Sequence, residues 1–220
     1  MARVRPDATL PQLLCEEVVA EVPVTGACLS SIQDAGTAGL VAASDDTAAE
    51  QRLLQFQLGE GPAIDAFTTG RLVQQADLAA WGSTRWPSYT PAALDAGIAA
   101  VFAFPLQIGG IRLGVLDLCR DSPGWLDDDS LTRALHFVDA AVAVLLHLEG
   151  GEHGIPATEE TIDDWLGASP EVHQATGMVS AQAAVGLTEA LLLMRARAFT
   201  SKRSLTEVAR DVVAKLVRFE

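Results

Sequence analysis

Residues 96–120 read AGIAAVFAFPLQIGGIRLGVLDLCR, and this stretch decides the fold. Ala99 to Gln107 and Arg112 to Cys119 are apolar, partly alternating runs, the pattern of strands with at least one buried face. Between them lies Ile108-Gly109-Gly110-Ile111, and a Gly-Gly pair suits a hairpin turn that needs positive φ. An antiparallel hairpin is therefore expected at the centre of the first domain.

Upstream of the hairpin, Pro91 to Ala96 reads as a helix, Trp81 to Tyr89 as an aromatic loop and Arg71 to Gln74 as a short strand. Leu58-Gly-Glu-Gly-Pro-Ala63 is a tight glycine turn that delivers Pro62 to the first position of a helix, where its missing N–H costs nothing. It lacks the Gly-Lys-Ser/Thr ending of a phosphate loop. Asp45 opens a polar helical stretch to Gln57. Thr25 to Ile32 and Gly39 to Ala43 read as strands around Asp34-Ala35-Gly36. Thr9 to Val22 carries Leu10, Leu13, Leu14, Val18 and Val19 at amphipathic helical spacing. Downstream, Asp127, Asp128 and Asp129 place negative charge at the start of the apolar helix Ser130 to Leu148, matching its dipole. Helix, strands, helices, strands and a long helix make an α+β domain, an antiparallel sheet flanked by helices.

Gly150-Gly-Glu-His-Gly-Ile-Pro156 is rich in helix breakers and marks a linker. Beyond it, Glu159 to Leu166 is readable as a short helix, and Ser169-Pro170-Glu171 is a helix start. Three helical segments follow: Pro170 to Val185, Leu187 to Phe199 and Ser204 to Phe219. Ser204 and Glu207 form a capping box opening the third. On that helix Leu205, Val208, Ala209, Val212 and Leu216 form one stripe, with Arg210 and Arg218 opposite and Lys215 flanking. Arg195 and Arg197 are two residues apart on the second helix, so they point in nearly opposite directions. They cannot both be buried. The domain reading is 1–149 for the first unit, 150–169 for the linker and 170–220 for the helical unit.

Composition sets further limits. The 220 residues include 15 Lys+Arg and 29 Asp+Glu, a net charge of −14. That charge is unevenly spread. Residues 1–170 hold 8 basic against 24 acidic residues, whereas residues 171–220 hold 7 against 5. A polyanion would be repelled by the first part and tolerated by the last. Nearly half the residues are hydrophobic, yet no uninterrupted apolar run approaches the ~18 to 20 residues of a membrane span. The N-terminus lacks a signal-peptide apolar region. Three scattered cysteines, Cys15, Cys28 and Cys119, form neither a disulfide framework nor a zinc motif. A cytoplasmic protein is expected, with no membrane association.

Together the hairpins, LGEGPAIDAFTTG (58–70), DLAAWGSTRWPSY (77–89), the central stretch 96–120 and the closing helix resemble a GAF domain over roughly residues 10–149. The resemblance implies a cupped sheet able to hold a small ligand beneath a lid, here Gly59 to Ala100. Trp81 and Trp86 are the candidate ligand-stacking residues, although packing in the core or lid is the favoured reading of both. No cofactor is identifiable, and the sequence leaves open whether a small-molecule ligand is held there and which.

Residues 172–213, VHQATGMVSAQAAVGLTEALLLMRARAFTSKRSLTEVARDVV, resemble the ANTAR module of transcription antitermination regulators. That likeness rests on Ala175, Gly177, Glu189, Ala190, Arg195, Ala198, Leu205, Val208, Ala209 and Val212. It implies a small all-α three-helix module that binds stem-loops in nascent RNA, usually as a homodimer, and prevents a terminator from forming. RNA recognition needs neutralised phosphates and contacts to exposed loop bases. Arg195, Arg197, Lys202, Arg203, Arg210, Lys215 and Arg218 are the candidates, with Lys202 and Arg203 favoured by their loop position.

Two other readings stand beside this one: C-terminal helices that bind a protein partner, or a helix-turn-helix on DNA. Against DNA, the third helix starts Ser-Leu-Thr-Glu, without the polar base-contacting set of a recognition helix. Catalysis and metal binding are not expected. His136 and His147 lie three turns apart, ~16 Å along a helix, too far to share a metal. No nucleophile or metal-protease motif is present.

Overall fold

The computed structural model describes residues 9–33, 37–150 and 170–219. The Asp34-Ala35-Gly36 turn, the linker up to Pro156 past Gly150, the Glu159 to Leu166 segment and Ser169 lie outside them.

The central hairpin is β4 (Ala100–Ile108) and β5 (Ile111–Arg120), paired antiparallel with Ile108 opposite Ile111. Two residues therefore make the turn. Gly109 carries the positive φ of 58°, and Gly110 does not need one. β5 pairs with β1 (Gly26–Gln33), β1 with β2 (Thr37–Ala43), and β4 with the short β3 (Val73–Gln75). The result is a five-stranded antiparallel sheet in the order β2-β1-β5-β4-β3.

Strand parity assigns the two faces. Phe102, Phe104 and Leu106 of β4 and Leu116 and Leu118 of β5 join one core with α1 (Leu10–Glu21) and α6 (Asp128–Gly150). Val101 and Ala103, with Val115 and Cys119, belong to a second core on the opposite face. That face is covered by α3 (Pro62–Thr69) and α5 (Tyr89–Asp95), with Trp86 and Tyr89 meeting edge to face at 6.0 Å. Both faces are buried, so the strands are apolar on both parities.

α2 (Asp46–Leu58) starts at Asp45, whose carboxylate accepts the Ala48 N–H at 2.8 Å, and ends at Gly59 in the left-handed conformation, φ 70°. Asp127 caps α6 in the same way, accepting from the Ser130 N–H at 2.7 Å. α6 is, among the described residues, a helix long and apolar enough to reach across a bilayer by length and composition, although charged residues interrupt it. Its Ala134, Ala141, Val144 and Leu145 pack on the sheet.

Several local expectations shift. β3 begins two residues later than Arg71. The Trp81 to Tyr89 loop is partly helical: a π turn over Leu78–Gly82, capped by Asp77, runs into α4 (Ser83–Arg85).

The C-terminal helices are α7 (Pro170–Ala183), α8 (Leu187–Ser201) and α9 (Leu205–Val213), packed against one another. Ser204 and Glu207 form the expected capping box. The third helix is shorter than its sequence pattern. Lys215 adopts φ 61°, and the Leu216 N–H returns to the Asp211 carbonyl at 2.8 Å, a left-handed helix stop. The chain then folds back: Val217 and Phe219 pack on the helical core, and the Phe219 N–H donates to Gln182 at 3.0 Å. Leu216, expected on the buried stripe, is instead 76% exposed. Lys215 and Arg218 consequently lie beyond the helix rather than along its outer face.

Candidate functional site

The Asp117 side chain faces the α3/α5 side of the sheet because it shares the parity of Val115 and Cys119. Over it lies α2, whose Gln51, Arg52 and Gln55 recur at helical spacing and are all buried. The Arg52 Nε stands 3.9 Å from an Asp117 oxygen, too far for a good hydrogen bond. Gln51 donates to the Tyr89 hydroxyl at 2.9 Å, and the Gln55 carbonyl accepts from the Ala63 N–H at 2.7 Å.

Much of the cluster's polarity is unmatched. Arg52 Nε and Nη1, Gln55 Nε2, Thr90 Oγ1 and both Asp117 oxygens are buried without a hydrogen-bond partner among the described residues. Buried polar groups are ordinarily paired, because leaving one unmade costs roughly 1 to 3 kcal/mol. Burial pushes the Asp117 carboxyl up to about 7, despite the opposing charge of Arg52. The cluster thus gathers an acidic acceptor and unpaired guanidinium and amide donors in one buried place. The three thiols are free and buried, and burial pushes Cys119, on the cluster's side of the sheet, and Cys15, on the other, up to about 12.

Sequence reasoning missed this cluster. The signal available was Asp117, an acid at an inward parity in the otherwise apolar run Leu113 to Cys119. The aromatic candidates sit elsewhere. Trp81 is 71% exposed, and Trp86 is buried in the α3/α5 core with its indole N–H on Asp65 at 3.1 Å.

The basic candidates divide by environment. Arg197, Lys202, Arg203, Arg210, Lys215 and Arg218 are exposed. Arg203 pairs with Asp211 at 2.7 Å, and Arg210 approaches Glu171 at 3.7 Å. Arg195 turns the other way, against α2. Its Nη2 donates to the Phe56 carbonyl at 2.7 Å and its guanidinium lies 5.2 Å from the Phe56 ring centroid. Phe56 itself completes the core of the C-terminal helices. Arg195, Lys202 and Arg203 meet along a cavity of about 580 Å³ between the α2 C-terminus, Ser88 and α8.

Residues 8–147 match the GAF domain family. Among solved structures, the chain resembles the GAF domain of the cyanobacteriochrome TePixJ at 14% identity and TM-score 0.51, covering 69% of this chain and 99% of that one. It also resembles the GAF domain of a phosphoenolpyruvate-protein phosphotransferase from Coxiella burnetii at 14% identity and TM-score 0.50, covering 64% and 82%. At these identities the likeness is one of fold. No curated protein sequence matches the chain.

Proposed function

Since the chain belongs to the GAF domain family, a ligand-sensing domain of sensor proteins, we propose that it couples ligand sensing to RNA binding by the C-terminal helices. In this reading residues 170–220 form an ANTAR module after a 150–169 linker, and a cytoplasmic homodimer binds stem-loops in nascent RNA to prevent termination. GAF domains are typically sensory rather than catalytic, and no enzymatic role is assigned.

One observation carries the proposal. The module packs around Val172, Ala175, Met194, Val208 and Val212, with Phe56 of α2, and leaves Arg197, Lys202, Arg210, Lys215 and Arg218 exposed, in a chain whose first 170 residues are strongly acidic. Cations held at the surface of a rigid scaffold can neutralise backbone phosphates. The sensor ligand, on this reading, is a small polar molecule that pairs with Arg52 and Asp117. α2 carries Arg52 toward the sheet and Phe56 toward the module, so displacement of α2 moves both.

The test is a titration of full-length protein against structured RNAs and matched duplex DNAs at two salt concentrations, beside Arg197→Ala/Arg210→Ala/Arg218→Ala. RNA preference is expected, with the logarithmic salt slope falling by about 1 for each phosphate contact removed. Absence of RNA binding at low salt overturns the proposal. It would favour the protein-partner reading, to which the exposed Leu192, Phe199 and Leu216, 62%, 70% and 76% accessible, also point.

A further inference from the structure

We propose that the cleft between α2 and α8 is a second ligand site, one that binds a small organic phosphate through Arg195 and Lys202. The site is separate from the Arg52–Asp117 cluster, and the proposal stands whether or not the module binds RNA.

Three observations converge on it. The first is size: about 580 Å³ lies within the ~300 to 1,000 Å³ typical of small-molecule sites. The second is unmatched positive charge. Arg195 is half-buried, its Nε has no hydrogen-bond partner, and no carboxylate among the described residues lies within 4 Å of it or of Lys202. Burial, with the neighbouring Arg52 cation adding to it, lowers the Arg195 pKa to about 10. A guanidinium so placed lacks the anion its donors are shaped for. The acid that follows the α2 C-terminus, Glu60, is turned away, accepting the Ser88 and Tyr89 N–H groups. Arg203 already has Asp211.

The third is the way the backbone is shaped around Arg195. A Cβ at Gly59 would stand 3.1 Å from Arg195 Nη1, so the glycine that ends α2 also admits the guanidinium. Lys202 is brought to the same cavity by the turn that ends α8, where it adopts φ 53°. The remaining wall includes Leu58, Leu192 and Phe199, which suits a ligand with an apolar or planar body attached to its phosphate.

Because Gly59 belongs to the sheet domain and Arg195 and Lys202 to the helical module, a bound phosphate ester spans both. Its occupancy would fix the α2–α8 contact that Arg195 makes with Phe56.

Isothermal titration of the full chain at constant ionic strength, with adenosine monophosphate, inorganic phosphate and uncharged adenosine as probes, tests the site. Adenosine monophosphate is expected to saturate and to bind more tightly than either of the others. Arg195→Met should weaken it at least tenfold and Lys202→Met severalfold, with Arg71→Met, an exposed cation outside the cleft, as wild type. Lys202 is exposed, so its variant keeps the fold and is decisive if Arg195→Met does not. No saturable binding by the wild type, or equal binding by all variants, overturns the proposal. So does a short single-stranded oligoribonucleotide whose binding depends on Arg195 and Lys202 while adenosine monophosphate does not bind, because the cleft would then read RNA backbone.

Discussion

The sheet domain and the C-terminal helices close their cores by different means. In the sheet domain, β4 and β5 supply Phe102 and Phe104 to one face, Trp86 and Tyr89 cover the other, and all four are almost wholly buried. The helical module relies largely on small residues, Ala175, Ala190, Ala198 and Ala209 among them, which let helices approach closely but bury little area each. A unit of about 50 residues is near the size at which a single core is marginal. The module meets that limit by taking Phe56 from α2 into its core, with Arg195 fastening the same turn. Its stability is tied to the sheet domain, whereas among the described residues the sheet domain's two cores contain none from the module.

Truncating one large side chain in each unit is the strongest way to break that comparison. Phe104→Ala should cost the sheet domain about 3 to 5 kcal/mol, and Met194→Ala should cost the module about 2 to 5 kcal/mol. Hydrogen exchange resolved by segment reads both. Met194→Ala is expected to accelerate exchange in α7 to α9 and leave β4 and β5 at wild-type rates. Equal acceleration everywhere would mean that the two units open as one.

The Arg52–Asp117 cluster predicts a pH dependence confined to the sheet domain. A carboxyl raised from 3.8 to about 7 holds its proton more tightly folded than unfolded. Stability from this group is therefore full below about pH 4, declines as pH rises and is gone above about 7. Between pH 5 and 8 the loss should be on the order of 2 kcal/mol. Asp117→Asn should flatten it in urea melts, and an unchanged slope would remove Asp117 as its source.

The smallest effect belongs to the module's last helix. Ser204→Ala removes the capping hydroxyl from a nine-residue helix and should cost about 1 kcal/mol. Circular dichroism of the full chain should show it as a lower first transition if the module is the weaker unit.

Much of the fold was legible because the signals are local. Two-residue parity across Val101 to Leu106, the Gly109-Gly110 turn, the Asp45 and Asp127 caps and the Ser204/Glu207 box each act within a few residues. The end of α9 was not legible. Leu216 continues the helical stripe in sequence, and only the packing of Val217 and Phe219 on the module's core makes the left-handed Lys215 worthwhile. The basic candidates were legible as a set but not as a surface, since which cations are paired depends on Asp211 and Glu171 arriving from other turns or helices.

The sequence by itself determined the antiparallel sheet, its flanking helices, the three C-terminal helices and the segregation of charge between the two parts, because periodicity, capping and turn chemistry are short-range. Only the tertiary structure decided that Asp117 meets Arg52, that Trp86 is core and Trp81 surface, and that Arg195 faces Phe56 instead of solvent. Those outcomes depend on which distant residues share a desolvated space. Burial and charge pairing are set by that three-dimensional neighbourhood, which no local pattern encodes.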